Sequence, residues 1–236
     1  MESRSLVIKI GGSLLYKNDV ELDRSFVNKF VDWYQRAKKR YNKIVIIVGG
    51  GTMSRYLVDQ VKPFDVSIGA QHRIGMAVTM SNAEMLRAVV NHEKIVVPKT
   101  MGDVFEMVVS DDPYKMIVGG FKEGWSTDMD AAVLAHVMGV QKVYKLSNID
   151  HVYTDDPKKV PDARPIMEMT WNDYFKQFGI VQGVTEHKPG QNLPIGAYCA
   201  QFCATKGITF VVSGGVNIEK EKDLQNVFES GSIIHP

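Results

Sequence analysis

Short runs of aliphatic, largely β-branched residues recur along this chain, separated by stretches whose apolar positions follow a helical period. Leu6 to Ile10 is an apolar run broken only by Lys9 and closed by Gly11-Gly12, the pattern of a buried strand entering a tight turn. From Val20 to Arg40, the apolar residues Val20, Phe26, Val27, Phe30, Val31 and Tyr34 predict a helix. Its basic end, Arg36-Ala37-Lys38-Lys39-Arg40, complements the negative pole of the helix dipole. Lys43 to Val48 predicts a second strand, stopped by Gly49-Gly50-Gly51, with a helix from Thr52 to Gln60 behind it. Further helices are expected at Gly75–Asn91 and Asp128–Met138, and further strands at Ile95–Pro98, Met116–Val118, Lys142–Leu146 and Ile208–Ser213. Phe105–Val109 fits either state, and 179–193, rich in Gly, Pro and polar residues, is a candidate mobile loop.

Strands that alternate with helices predict an α/β fold with a mainly parallel central sheet and helices on both faces. Several glycine turns follow strands, at the edge where open α/β sheets place their ligands. The 236 residues suffice for a single domain with a substantial core. A net charge of +1 gives no long-range attraction to nucleic acid or to an anionic membrane, so any anion must be bound by local geometry. Cys199 and Cys203 fall on one face of a predicted helix and read as reduced core thiols, which fits a cytoplasmic protein. The N-terminus has no apolar signal core, and no apolar run approaches the length of a membrane span.

Four separated segments have the chemistry of phosphate handling. They are Lys9 to Ser13, Gly49 to Thr52, Ser126-Thr127-Asp128, and Ser147 to Asp150 running on to Asp155-Asp156-Pro157-Lys158-Lys159. Neither a Walker A loop nor a GxGxxG fingerprint is present, so the phosphate logic is of another kind. Lys9 is expensive inside an apolar strand unless it meets a partner. It either reaches a phosphate held by the Gly11 and Gly12 amides or points to solvent from an edge strand. The three glycines at 49–51 open a helix, where free amides and the helix dipole favour an anion. Arg55, one turn on, either clamps that anion or lies on the surface. Ser126-Thr127-Asp128 is an ordinary helix start, or it aims Asp128 into a site where the carboxylate orients Lys9. Phosphoryl transfer asks mainly for positioning and charge neutralisation, which such residues supply.

These residues, in this order, resemble the amino acid kinase superfamily, and within it the UMP kinase (uridylate kinase) branch of archaeal type. Lys9-Ile-Gly-Gly-Ser13 resembles the opening motif, and Gly49-Gly-Gly51 with Arg55 the second glycine loop. Gly75-Met76 with Thr79, Asn82 and Ala83 resembles the helix behind the acceptor site, and Gly119-Gly120 through Asp128 the acceptor loop. Ser147-Asn-Ile-Asp-His-Val-Tyr153 with Asp156-Pro-Lys-Lys159 resembles the ATP-site signature, and Gly231 to Ile234 the closing strand.

The resemblance implies a three-layer αβα sandwich that uses ATP with Mg2+ and assembles as a homo-oligomer, hexamer or dimer. Residues 1–120 would form the acceptor-binding part and 121–236 the ATP-binding part. Lys9 and Asp128 would be catalytic. Gly11, Gly12, Ser13, Ser147, Asn148, Asp150, Tyr153, Asp156 and Lys158 would hold the nucleotide. Gly49, Gly50, Gly51, Arg55, His72, Ser126 and Thr127 would hold the acceptor, and no protein-only metal site is implied.

The departures fall mostly on the acceptor side. The family's D-x-x-G aspartate, which holds the acceptor ribose, is replaced by His72 in Gln71-His72-Arg73-Ile74-Gly75. Phe121 stands where a polar residue is usual, Trp125 sits beside the acceptor loop, and Ser147 replaces a threonine. Leu193-Pro194-Ile195 lacks the Asp-Pro often found there. Three readings stay open: phosphorylation of UMP to UDP, the same chemistry on another small phosphate or carboxylate, and a nucleotide-binding storage or regulatory protein without turnover.

Overall fold

The computed structural model describes residues 5–91, 94–181, 183, 193–215, 218 and 230–236. The strands are β1 (Ser5–Ile10), β2 (Lys43–Val48), β3 (Ile95–Val96), β4 (Tyr114–Val118), β5 (Lys142–Ser147), β6 (Val152–Tyr153), β7 (Pro165–Ile166), β8 (Glu168–Thr170), β9 (Thr209–Gly214) and β10 (Ser232–His235). The helices are α1 (Arg24–Arg40), α2 (Gly51–Val61), α3 (Ile68–Val90), α4 (Met101–Val109), α5 (Thr127–Val137), α6 (Trp171–Phe178) and α7 (Ala197–Lys206). Eight strands form one sheet in the order β3-β4-β2-β1-β5-β9-β10-β8, while β6 and β7 pair separately. Every pairing in the large sheet is parallel except β9 with β10.

Strand alternation splits the core in two. Leu6, Ile8, Ile10, Ile44, Ile46 and Val48 face one side, where Phe26, Phe30 and Trp33 of α1 and Leu86 of α3 cover them. Val7, Val45, Ile47 and Val143 face the other, beneath residues of α4, α5, α6 and α7. The result is the αβα sandwich expected. Because β2 and β5 flank β1, Lys9 is not an edge-strand lysine.

Some boundaries differ from expectation for local reasons. The first long helix begins at Arg24, not Val20, because the Asp23 carboxylate accepts from the Ser25 and Phe26 amides and caps it there. Asn18 folds the preceding residues into a turn by accepting from the Val20 and Glu21 amides. The helix expected from Gly75 begins at Ile68 under a Ser67 cap, so His72 lies on a helix. The ambiguous Phe105–Val109 segment is helical, started by a Thr100–Asp103 capping box. Most of the 179–193 stretch lies outside the described residues.

Candidate active site

The site is built where β1, β2 and β5 end. Lys9 on β1 and Lys145 on β5 occupy the same register across a parallel pair, so both side chains leave the sheet on one face. Asp128, in the first turn of α5, reaches between them. Its carboxylate lies 2.7 Å from the Lys145 ammonium and 3.4 Å from that of Lys9. All three are buried, with 8 % exposure for Lys9, 9 % for Asp128 and 7 % for Lys145. Burial would push the Asp128 carboxyl up, but Lys145 and Lys9 more than offset it and hold the group below its usual range. Burial lowers the Lys9 ammonium to about 8 despite the attraction of Asp128. Two ammonium groups around one carboxylate leave an uncompensated positive charge, the electrostatic requirement for a phosphoryl group.

The two glycine loops touch backbone to backbone. A Cβ on Gly12 would come within 2.3 Å of the Gly49 carbonyl oxygen and the Gly51 nitrogen, so only glycine permits this approach. Gly51 also sits at φ +67°, in the left-handed region. The Gly11 amide donates to the Leu146 carbonyl, and the Gly49 amide to that of Ile10. On its other side, Gly49 lies against the Thr127 hydroxyl. A continuous rim thus runs from Ser147, beside Gly11, through Gly12 and Gly49–Gly51 to Thr127. Asn82 fixes that rim from behind, donating to the Gly49 carbonyl at 2.8 Å while accepting from the Tyr16 hydroxyl at 2.5 Å.

Beside the rim lies a cleft of about 370 Å³, lined by residues that include Ser54, His72, Met76, Lys122, Trp125 and Thr127. The Thr79 hydroxyl donates to the Met76 carbonyl and accepts from the Gly120 amide, both at 2.7 Å, which sets the cleft floor. The Lys122 ammonium stands 4.8 Å above the Trp125 ring. No carboxylate is among the described lining residues. Glu123, close by in sequence, is engaged with Arg73 at 3.0 Å.

Lys9 and Asp128 meet. Gly11, Gly12, Gly49, Gly50 and Gly51 form the rim, with Ser13 in the turn that follows Gly12. His72, Ser126 and Thr127 line the cleft, and Ser126 also caps α5. Arg55 is exposed on α2 and is not among the cleft's lining residues, whereas Ser54 and Val58 are. Ser147 ends β5, and its hydroxyl lies 3.4 Å from the exposed Asn148 amide oxygen. Tyr153 donates to Asp150 at 2.9 Å. Asp156 accepts from the Lys158 amide at 3.0 Å and so shapes the loop after β6. Lys145 was not anticipated, although a lysine in an apolar strand is the same signal that marks Lys9.

The glycine rim and the paired ammonium groups have the chemistry to receive the phosphates of a nucleotide. Among the described residues no group of three or more His, Cys, Asp or Glu could cage a metal ion. A Mg2+ here would draw most of its ligands from phosphate oxygens, as this ion commonly does.

Residues 4–212 match the model of the amino acid kinase family. The chain belongs to the amino acid kinase family. Curated relatives include the uridylate kinase of Pyrococcus abyssi, 27 % identical over 98 % of this chain and 99 % of that protein. The uridylate kinase of Methanococcus aeolicus matches at 27 % identity with the same coverage. Among solved structures, the uridylate kinase of Archaeoglobus fulgidus superposes with a TM-score of 0.76 at 22 % identity, covering 97 % of this chain and all of the other. The UMP kinase of Ureaplasma parvum also gives 0.76 at 22 % identity, with both chains fully covered. These two likenesses show that this chain shares the fold of those structures. Among the described residues, no helix is long and apolar enough to cross a membrane.

Proposed function

We propose that this chain is an ATP-dependent kinase that phosphorylates UMP, giving UDP and ADP. The observation that carries this reading is the Asp128 carboxylate bridging Lys9 and Lys145 beside a glycine rim. The near full-length similarity to uridylate kinases supports the acceptor. Bound MgATP would supply the transferable phosphoryl group and a metal charge on its oxygens. The chain's own residues do the rest. Gly12 and Ser13 hold phosphates through backbone amides, and Gly11, whose own amide is taken by the Leu146 carbonyl, sets the turn that presents them. Ser147, Asn148, Asp150, Tyr153, Asp156 and Lys158 hold the remainder of the nucleotide, in the part of the chain after residue 120. Gly49, Gly50, Gly51, Ser126 and Thr127 seat the acceptor phosphate at the start of α5, and His72 faces the acceptor's sugar. Arg55, exposed on α2 and outside the cleft lining, is a less direct contact for the acceptor phosphate. Lys9 and Lys145 neutralise charge as it moves between the two phosphates, and Asp128 fixes both ammonium groups. In this reading the protein is cytoplasmic and homo-oligomeric, hexamer or dimer, and engages neither nucleic acid nor membrane; the family resemblance and the near-zero net charge support it.

One observation favours a second acceptor within the same chemistry. Sugar hydroxyls are commonly read by a carboxylate, and the described cleft lining has none. A different small phosphate or a carboxylate compound is therefore the alternative. Purified protein with MgATP is tested against UMP, CMP, isopentenyl phosphate, carbamate and acidic amino acids, with ADP release followed. The UMP reading expects the largest stimulation with UMP. Turnover with another acceptor and none with UMP would favour the alternative, and no turnover with any acceptor would refute kinase function.

A further inference from the structure

The Lys145 ammonium has two anchors. One is Asp128; the other is the backbone carbonyl of Pro194, at 2.5 Å. Pro194 belongs to the connection that enters α7, outside the sheet ladder, so something else must hold its carbonyl in place. The next residue, Ile195, is fully buried. Both its backbone groups are engaged by a single hydroxyl: its amide donates to the Tyr174 oxygen at 2.8 Å, and that hydroxyl donates to its carbonyl at 2.7 Å. Tyr174 is itself fully buried on α6. Its ring meets Trp171 edge-on at 5.7 Å and Phe178 at 4.6 Å between centroids. The Trp171 indole is fixed in turn, donating to the Ile208 carbonyl at 2.8 Å. Burial raises the Tyr174 phenol above its ordinary pKa, so it remains a donor across the working pH range.

If packing alone were required here, the ring would suffice and phenylalanine would serve. The hydroxyl instead satisfies one buried donor and one buried acceptor that have no ladder partner. It thereby holds the chain next to the carbonyl on which Lys145 rests. We propose that Tyr174 is a positioning residue for phosphoryl transfer, holding the Lys145 ammonium on Asp128 through the Pro194–Ile195 backbone. The proposal rests on the role given to Lys145 above.

The test is a double-mutant cycle with Tyr174→Phe and Lys145→Ala, separately and together, read as kcat and KM for ATP and acceptor. Tyr174→Phe alone is expected to lower kcat about tenfold while both KM values stay within about twofold. In the Lys145→Ala background it should lower kcat no further. A kcat unchanged in the single variant, or losses that multiply in the double variant, would overturn the proposal. If circular dichroism shows that Tyr174→Phe does not fold, Phe178→Leu loosens the same ring more gently and is read by the same criteria. A second readout does not depend on turnover: the side-chain NMR resonances of Lys145, which Tyr174→Phe should shift. Turnover absent from the wild type would count against the kinase reading, and the resonance alone would then decide the positioning role. An unmoved Lys145 signal would refute it.

Discussion

Lys9 and Lys145 stand opposite one another on neighbouring parallel strands, and one carboxylate, Asp128, lies between their ammonium groups. Removing one member of such a set leaves a buried charge unbalanced, yet the set carries net positive charge where phosphate is expected. Lys9→Ala should therefore lower kcat roughly 10²- to 10³-fold, the scale of losing one preorganised electrostatic group. Nucleotide affinity should change only a few-fold, because the glycine rim and the 147–158 segment remain. Steady-state kinetics with calorimetric ATP binding separates the two effects. Full activity in the variant would remove Lys9 from the chemistry.

The same lysine predicts a pH dependence. Burial lowers its pKa to about 8, so the cation is present below that pH and lost as pH rises through it. The acceptor kcat/KM should fall by about tenfold per unit well above pH 8, since that ratio reports the free enzyme. A profile flat from pH 7 to 10 would contradict the charge state assigned to Lys9.

Asp130 is the site's least comfortable residue. It is 1 % exposed, and its carboxylate oxygens make no well-formed hydrogen bond among the described residues, the Phe121 amide being only a weak donor to them. Burial raises its pKa to about 7, with the Phe121 amide opposing and Asp128 adding to the rise. Between the ordinary carboxylate value near 4 and about 7, the folded protein binds more protons at this group than the unfolded chain. Its contribution to stability is thus greatest in acid and declines as pH rises to about 7. Asp130→Asn should raise Tm by several degrees at pH 8, with the gain vanishing near pH 4. Equal effects at both pH values would contradict the assignment.

The loop contact makes a sharper structural prediction. Gly12→Ala places a methyl group into the Gly49–Gly51 backbone, whereas a Cβ on Gly196 would meet nothing within 4 Å. Overpacking typically costs about 1–3 kcal/mol. The first substitution should lower Tm by roughly 2–12 °C, given about 2–4 °C per kcal/mol at this chain length. Gly196→Ala should leave Tm nearly unchanged. Comparable shifts in the two variants, measured by thermal unfolding, would argue against the close approach.

His72 lines the cleft where a ribose-binding carboxylate is absent from the described residues. His72→Asp should raise UMP affinity about tenfold, the gain of one hydrogen bond to a charged acceptor. Unchanged UMP binding by calorimetry would remove His72 from the acceptor contact.

The sandwich was legible because its signals are local. The runs Leu6–Ile10 and Lys43–Val48 end in glycine turns, and their burial on both faces follows from near-continuous apolarity. Lys9 and Asp128 were legible for the same reason, since each sits at a turn where an element begins or ends. Lys145 carries the same signal of a lysine in an apolar strand, but no glycine turn follows it. What identifies it is register with Lys9, which exists only once the strands pair. The Tyr174–Ile195 bonds join residues 21 apart across an irregular connection, and no periodicity encodes them. His72 was legible as a departure from a motif, but its place on α3 depended on the Ser67 cap rather than on the glycine at 75.

Phosphoryl transfer from ATP to UMP at the Lys9–Asp128–Lys145 cluster is open to direct observation. The most direct measurement is phosphorus NMR of the purified protein with MgATP and UMP, following the appearance of UDP and ADP. Stoichiometric UDP and ADP with the wild-type chain, formed roughly 10²- to 10³-fold more slowly with Lys9→Ala, is the predicted result. ATP left intact by the wild-type chain, or ADP released without UDP, would contradict it.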